Sequence, residues 1–354
     1  MKLRPAFKIL GLLMALIVIA ILIAQLYSTW TVAPIGDQID RNPAEPGVFR
    51  IAFGSCNKQW KPNYMWRAIV NCKPDLWIWL GDSVDAATED MAYLQSQYEK
   101  QKQNPEYAEL RKRCPIIGTW DDNDYGMKNG TRLYAKKVES QQLFLDFIDE
   151  PKDSPRRKQE GVYVSYVYGK PGNRIKIILL DLRYNADEPG PESDILGEKQ
   201  WQWLENELRD GKDDIVLLGS SIQLLSHEHP YEHWNNYPKS RERMLQLLTA
   251  AKPKLTIILS GDRHLAEISK WDDPRLPYPL YDVTSSGLTH RVDYFYHLRA
   301  CFSPEKNRYR AAKLFCEKNF SVIDMGLSKT YPTVDLQIRD QENAIQRKMH
   351  VALN

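Results

Sequence analysis

Five short apolar runs, rich in β-branched and aromatic residues, constrain the fold of this 354-residue chain more than any other feature. They cover residues 49–53, 76–80, 175–180, 215–218 and 255–259. Runs of this length and composition are typical of buried β-strands. Helices are predicted between and after them, at residues 64–72, 90–103, 136–147, 197–208 and 240–250, and antiparallel strands at 161–168, 333–338 and 349–353. The sequence therefore predicts an α/β sandwich of two mixed β-sheets with helices outside.

A polar cluster follows each apolar run directly. The clusters are GSC at residues 54–56, GD at 81–82, DLR at 181–183, GSS at 219–221 and SGDRH at 260–264. In layered α/β proteins, ligands bind in the loops at the carboxyl ends of the strands. We therefore expect these distant segments to assemble one functional site.

The charge of the chain is nearly balanced, with 48 basic and 46 acidic side chains and a net charge of +2. Nucleic-acid-binding chains are usually strongly basic, so no nucleic-acid-binding surface is expected. Hydrophobic residues make up 43% and charged residues 27% of the chain, which is the composition of a globular protein and excludes a disordered one.

The N-terminus contains an uncharged apolar stretch at residues 9–26, long enough to cross a membrane, and Lys2, Arg4 and Lys8 flank it. Positive charge on the short side predicts a cytoplasmic stub and a transmembrane signal anchor within residues 1–30. Residues 31–47 then form a linker, and the catalytic domain, residues 48–354, lies in the periplasm or outside the cell. The alternative is a signal peptide that is cleaved off, which also places the domain outside the cytoplasm.

Five cysteines would meet an oxidising environment there, and an odd number cannot all pair within one chain. Cys301 with Cys316, and Cys72 with Cys114, are close enough in sequence for disulfides, although the sequence does not determine the connectivity. Cys56 is then left over. A thiol of this kind is usually buried or bound to a ligand.

Several side chains that commonly bind metals, with both soft and hard donor atoms, follow the predicted strands. They are Cys56, Asp82, Asp85, Asp121, Asp122, Asp124, Asp262 and His264. Carboxylates crowded at one pole repel one another, and a multivalent cation removes that cost. A set that includes thiolate and imidazole suits iron, zinc or manganese better than calcium alone. We therefore predict a metal centre, and a dinuclear one fits the number of donors.

Motifs in series along the chain resemble the alkaline phosphatase D (PhoD-like) family of the calcineurin-like metallophosphatases. They lie at residues 53–59 (FGSCNKQ), 74–82 (PDLWIWLGD), 119–126 (TWDDNDYG), 180–184 (LDLRY), 200–204 (QWQWL), 220–223 (SSIQ), 259–264 (LSGDRH) and 283–290 (VTSSGLTH). The resemblance implies a four-layer α-β-β-α fold. It also implies hydrolysis of phosphate mono- or diesters through attack by a metal-bound hydroxide at a pair of ions, drawn from iron, zinc and manganese, with calcium as a further candidate.

The resemblance also assigns roles to individual residues. Cys56 matches the family's thiolate ligand, and Asp82 matches the carboxylate that bridges both ions. Asp262 and His264 match the last metal-binding motif, and Asp122 is a further candidate ligand. Arg183 and Arg263 are candidates to hold phosphate oxygens, since a guanidinium offers a charged fork that fits them.

Three positions depart from the family pattern. Asp85 stands where the family has a tyrosine ligand, and its carboxylate favours harder ions. Asn123 replaces the expected histidine; an amide can donate a hydrogen bond or offer its oxygen to a metal, but it cannot give up a proton. Up to about 10²- to 10⁴-fold in rate depends on such a proton transfer. Lys128 adds positive charge where the family commonly carries Asn-Asp.

Other interpretations of these residues remain. The loss of the histidine is compatible with a weakened pseudoenzyme that binds a phosphorylated envelope component or partner. Cys56 could act as a nucleophile with His264 as its base. A separate metal site at His227, His229 and His233 is disfavoured because Pro230 interrupts the segment, and His290 is expected to support ligands rather than bind metal. The sequence leaves the ester and the oligomeric state open.

Overall fold

The structure is a computed structural model, and it describes residues 48–169, 174–209, 214–251, 253–292, 305–326 and 333–352. Its first sheet contains six strands in the order β12-β11-β10-β1-β2-β3. These strands are β1 (Val48–Gly54), β2 (Leu76–Leu80), β3 (Ile116–Thr119), β10 (Phe320–Gly326), β11 (Thr333–Arg339) and β12 (Ile345–Ala352). β1, β2 and β3 are parallel to one another, and the remaining neighbours are antiparallel.

The second sheet also has six strands, in the order β4-β5-β6-β7-β9-β8. They are β4 (Val164–Tyr168), β5 (Ile175–Leu179), β6 (Ile215–Gly219), β7 (Leu255–Ser260), β8 (Ala266–Trp271) and β9 (Leu280–Ser285). β5, β6, β7 and β9 run parallel, whereas β4 and β8 are antiparallel edge strands. The loops after the parallel strands of each sheet therefore emerge at one edge.

Helices cover the outer face of each sheet. α1 (Met65–Asn71), α2 (Met91–Lys102), α3 (Pro105–Arg113), α4 (Asp122–Tyr125) and α5 (Lys137–Phe147) belong to the first sheet, and α6 (Glu198–Arg209) and α7 (Pro238–Ala251) to the second. Alternate residues of a strand point to opposite faces. Trp77 and Trp79 of β2 accordingly pack under the helices, whereas Ile78 and Leu80 meet the second sheet.

The four-layer α-β-β-α prediction is confirmed. Apolar residues of both sheets form one central cluster, and separate clusters lie between each sheet and its helices. β2 has the predicted bounds, and the other predicted strands and helices form with ends that shift by a few residues. The sequence pattern did not predict α3, α4, β3, β8, β9 or β10.

The predicted membrane anchor and the predicted disulfides have different outcomes. None of the helices in the described ranges is long and apolar enough to span a membrane, and the predicted anchor at residues 9–26 lies outside those ranges. Cys72 and Cys114 are not joined; both are buried, and the Cys114 thiol instead faces the Leu110 carbonyl oxygen at 3.8 Å. Cys301 also lies outside the described residues, so its pairing with Cys316 stays a prediction.

Candidate metal centre

The loops that follow the strands of the two sheets pack closely against one another at glycine residues. A Cβ on Gly261, after β7, would lie only 2.8 Å from the carbonyl oxygen of Leu80 and 2.5 Å from the Ser55 hydroxyl. A Cβ on Gly81, after β2, would lie 2.3 Å from the Cβ of Asp121. Only glycine allows approaches this close. Gly261 therefore brings the polar clusters of the two sheets together, and Gly81 does the same for the loops after β2 and β3.

Four of the predicted ligands lie in the left-handed backbone region that favours glycine. The φ angles are 61° at Cys56, 50° at Asp82, 66° at Asp262 and 55° at His264. Such conformations cost about 1–3 kcal/mol each for ordinary residues and cluster at functional sites. Four of the nine non-glycine residues with positive φ in the described ranges are thus residues that the motifs indicate.

The Cys56 thiol and the Asp82 carboxylate face each other. Cys56 Sγ lies 3.5 Å from Asp82 Oδ2 and 3.0 Å from the Ser286 hydroxyl. Burial, together with the charges of Asp82 and Asp262, raises the pKa of the Cys56 thiol well above its usual value. A cation bound beside it would reverse this effect, because it stabilises the thiolate.

Asp82 is the centre of a group of buried carboxylates. Burial raises its pKa well above the usual range, and the charges of Asp122, Asp121, Asp124 and Asp262 raise it further. Burial likewise raises the pKa of Asp262 to about 7, with contributions from Glu232 and Asp122. These carboxylates therefore lie near enough to one another for each to disfavour the ionised form of its neighbours.

Asp122 and Asn123 lie at the start of α4, beside Asp82. The amide of Asn123 donates from its backbone to Asp82 Oδ1 at 3.3 Å and from its side chain to Asp122 Oδ1 at 3.1 Å. The side-chain oxygen of Asn123 is buried and has no hydrogen-bond partner among the described residues. This oxygen is thus available as a ligand at the position where the family has histidine.

Asp124 and Arg183 take structural roles at this site. Asp124 accepts hydrogen bonds from the backbone and hydroxyl of Ser83 and from the Tyr98 hydroxyl, which fixes the loop after β2. Arg183 donates to Asp121 and, through two nitrogens, to Glu232. The Arg183 guanidinium, which was predicted to hold phosphate oxygens, is therefore already paired with these two carboxylates.

Arg263 and Asp85 both lie in ion pairs. One nitrogen of Arg263 contacts Glu305 at 2.6 Å, and its guanidinium lies 4.1 Å from the centre of the Tyr231 ring. Asp85, predicted as a ligand, pairs with Lys58 at 2.9 Å and accepts a weak hydrogen bond from Trp60 at 3.4 Å. Asp85 therefore lies at the edge of the carboxylate group, and ligation by it would require a turn away from Lys58.

His264 contacts His290 directly, with 3.0 Å between their Nε2 atoms. Burial lowers the pKa of His264 to about 4 and that of His290 to about 2, so both imidazoles are neutral. The His264 backbone amide donates to the hydroxyl of Ser286, which also contacts Cys56. Ser286 thus links the thiol and the histidine pair, a contact that the sequence did not indicate.

The residues fit a metal centre by their chemistry, although no ready-made site is visible. Within the described ranges, no three His, Cys, Asp or Glu side chains are arranged to hold one ion. Their oxygens instead accept hydrogen bonds from neighbouring amides and guanidinium groups. A thiol, several carboxylates of raised pKa and two buried unpaired oxygens, on Asp121 and Asn123, nonetheless form a donor set that a multivalent cation would satisfy.

The histidines at residues 227, 229 and 233 do not form a separate metal site. His229 Nε2 contacts the Gln223 side chain at 2.9 Å, and His233 Nε2 contacts the His229 carbonyl oxygen at 3.2 Å. Glu232 from the same segment reaches Arg183. Glu232 was not predicted from the sequence, where its only signal is that a buried arginine needs a carboxylate partner.

Comparisons with known proteins identify the class of enzyme. The model of the PhoD-like phosphatase family matches residues 51–291, which is most of the chain. The chain therefore belongs to the PhoD-like phosphatase family, a family of metal-dependent phosphoesterases, and it is a phosphoric ester hydrolase that acts on a phosphate ester. A search of curated proteins found no match.

Two solved structures share the fold. One, titled "Structure of PhoD", is 15% identical, with a TM-score of 0.67 over 86% of this chain and 68% of that one. The other, "GAP50 the anchor in the inner membrane complex of Plasmodium", is 13% identical, with a TM-score of 0.59 over 87% of this chain and 89% of that one. Identities this low show a common fold alone.

Proposed function

We propose that this protein is a membrane-anchored phosphoesterase whose metal centre hydrolyses phosphate mono- or diesters outside the cytoplasm. The observation that carries the proposal is the convergence of Cys56, Asp82, Asp122 and Asp262 on one pole, from the ends of β1, β2, β3 and β7. Family membership supports the reaction class. The apolar residues 9–26 and their basic flank support the anchor.

The proposed metal ligands are Cys56, Asp82, Asp122, Asn123, Asp262 and His264, and Asp85 is a candidate at the edge. Iron, zinc or manganese suits the thiol and imidazole, and calcium suits a site made of carboxylates. When bound, such a centre supplies charge neutralisation for the phosphoryl group and lowers the pKa of the attacking water.

The chain's own residues then orient the ester. Arg263 is the stronger candidate to hold phosphate oxygens, because Arg183 is surrounded by two carboxylates whereas the ion pair of Arg263 with Glu305 uses one nitrogen. The Asn123 side chain can position the ester through its amide. The histidine that the family places at position 123 would also donate a proton, and here the leaving group must take its proton from elsewhere.

Hydrolysis is tested on the full chain purified in detergent. After loading with iron, zinc, manganese or calcium, it should hydrolyse bis(4-nitrophenyl) phosphate or 4-nitrophenyl phosphate, and a chelator should abolish turnover. Asp82→Asn should lose both metal and activity, whereas Asp335→Asn, on β11 of the first sheet, should keep both. Absence of turnover with every metal and both esters would overturn the proposal.

The anchor is tested separately in cells. The full chain should stay in membranes after carbonate extraction, and the domain should be digested by protease added to spheroplasts. Release by carbonate, together with loss of the N-terminal segment from the mature protein, would instead identify a cleaved signal peptide.

A second proposal is that the protein mainly binds a phosphorylated envelope component or partner and turns it over weakly. Asn123 in place of histidine and the Asp85–Lys58 ion pair favour it. Asn123→His should then raise a very low activity sharply while leaving phosphate-ester affinity unchanged. Fast turnover by the natural protein would eliminate this proposal.

A further inference from the structure

Positive side chains from three separate segments surround the pair of His264 and His290. Lys58 and Lys61 follow β1, Arg291 follows the Thr-Ser-Ser-Gly-Leu-Thr-His motif, and Lys318 precedes β10. We call these four residues the basic rim. The metal centre described above does not use any of them.

The first half of the rim is built around an exposed tryptophan. The ammonium groups of Lys58 and Lys61 lie 5.7 and 5.2 Å from the centre of the Trp60 ring, within range of a cation–π interaction. The Lys58 backbone amide donates to the Thr289 hydroxyl at 2.7 Å, next to His290. Trp60 itself is 53% exposed, so one apolar surface of the rim faces solvent.

The second half is held against the same loop by backbone pairing. Gly287 and Asn319 form an isolated β-bridge, with the Asn319 amide donating to the Gly287 oxygen at 2.9 Å. Arg291 pairs with Glu317 at 2.7 Å. Lys318, between Glu317 and Asn319, is therefore fixed beside the loop that carries His290.

The charges of this surface do not cancel among the described residues. Its two carboxylates are Asp85, paired with Lys58, and Glu317, paired with Arg291. Four cations less two carboxylates leave two positive charges. Lys61 and Lys318 are each only partly exposed. Burial and their positive neighbours lower the pKa of both lysines, which is the environment that an anion would relieve.

We infer that the basic rim binds a second anionic group of the substrate, a phosphate or carboxylate separate from the phosphate that is cleaved. The rim adjoins His264 and lies outside the carboxylate group, so it can contact a substituent while the ester occupies the metal centre. Lys61 and Lys318 supply charge-assisted hydrogen bonds, and Trp60 offers an apolar surface to the chain that joins the two groups. This inference rests on the proposed function.

A matched pair of chromogenic diesters tests it on the metal-loaded full chain. One is 4-nitrophenyl 3-hydroxypropyl phosphate, and the other carries a phosphate in place of the terminal hydroxyl. The natural protein should show a KM at least roughly tenfold lower for the phosphate-tailed diester. The double variant Lys61→Gln/Lys318→Gln should lose that preference while its kinetics on the hydroxyl-tailed diester stay unchanged. Lys61→Arg/Lys318→Arg should retain it.

Lys199→Gln, an exposed lysine on α6, is the matched control and should change neither KM. Equal KM values for both diesters, or a preference that the double variant retains, would overturn the inference while leaving the proposed function standing. If neither diester is hydrolysed, the proposed function fails instead. Calorimetry with propane-1,3-diyl bisphosphate and the monophosphate then decides whether the rim binds the second anion, again against the double variant.

Discussion

Arg183 donates from Nε to Asp121 Oδ1 at 2.7 Å, across the interface between the loops that follow β5 and β3. The same guanidinium holds Glu232 with two nitrogens, at 3.0 and 2.9 Å. All three side chains are mostly buried, with 4%, 1% and 17% of the side-chain surface exposed. This triad joins the two halves of the candidate site.

Removal of the triad's arginine should destabilise the protein strongly. Arg183→Gln leaves two buried carboxylates without their cation, which costs about 3–5 kcal/mol. Urea denaturation of the metal-free protein measures the loss in the free energy of unfolding. Arg209→Gln, an exposed arginine on α6, is the control and should change it by less than about 0.5 kcal/mol. A similarly small change for Arg183→Gln would contradict the structural role assigned here.

Cys56→Ser should weaken metal binding. A hydroxyl is a poor replacement for a soft thiolate donor, so we expect a loss in affinity for zinc or iron of at least about tenfold. Metal content after gel filtration, determined by mass spectrometry, checks this. Cys72→Ser is the control, because that thiol is buried among apolar residues and should affect stability but not metal content. Unchanged metal content in Cys56→Ser would remove Cys56 from the ligand set.

Asp262 should make the metal-free protein less stable as pH rises. Its pKa is about 7 in the fold because of burial and the charges of Glu232 and Asp122, against about 4 in an unfolded chain. The folded state therefore binds more protons between pH 4 and 7, and stability falls through that range. Relative to Asp262→Asn, the natural protein should lose about 2–4 kcal/mol between these limits.

Denaturation midpoints of both proteins in chelator, across pH 4 to 8, give this difference directly. Asp273 is a control of opposite sign, because its hydrogen bond to Arg275 lowers its pKa. Its contribution is present at neutral pH and is lost as pH falls. Parallel pH profiles for the natural protein and Asp262→Asn would show that this carboxyl is not perturbed. Added zinc or manganese should stabilise the protein more at higher pH, since ligands bind in their ionised form.

Asn123→His should increase hydrolysis of esters with poor leaving groups. An imidazole at this position can protonate the departing oxygen, an effect worth up to about 10²- to 10⁴-fold. Turnover of an alkyl diester, compared with that of bis(4-nitrophenyl) phosphate, separates this from a general gain, because nitrophenolate leaves without a proton. Asn129→His, an exposed position whose amide contacts Asp122, should have no such effect. A gain that is equal for both esters would argue against proton donation.

The layered fold was predictable because most central strands are continuous apolar runs. β8 and β9 escaped prediction because buried polar residues interrupt them. Asp282 in β9, for example, is buried and accepts hydrogen bonds from the backbone of Leu224 and Leu225 and from Ser260. A carboxylate within a strand masks the apolar pattern, and only the tertiary contacts show how it is satisfied.

The candidate site was predictable where its residues follow strands, as Cys56, Asp82 and Asp262 do. The ion-pair partners of the site residues were not predictable. Asp85 pairs with Lys58, and Arg183 pairs with Glu232, which lies on a loop 49 residues further along the chain. Such pairings depend on how the loops fold over the sheet edges, which neither spacing nor residue type encodes.

The left-handed backbone at Cys56, Asp82, Asp262 and His264 affects how this protein can be stabilised by mutation. At each position glycine would relax the main chain, so a search for heat-resistant variants would tend to discard the very side chains that the chemistry requires. Thermal stability and turnover are therefore expected to be opposed at these four positions. A substitution there that raises the melting temperature is expected to lower the activity.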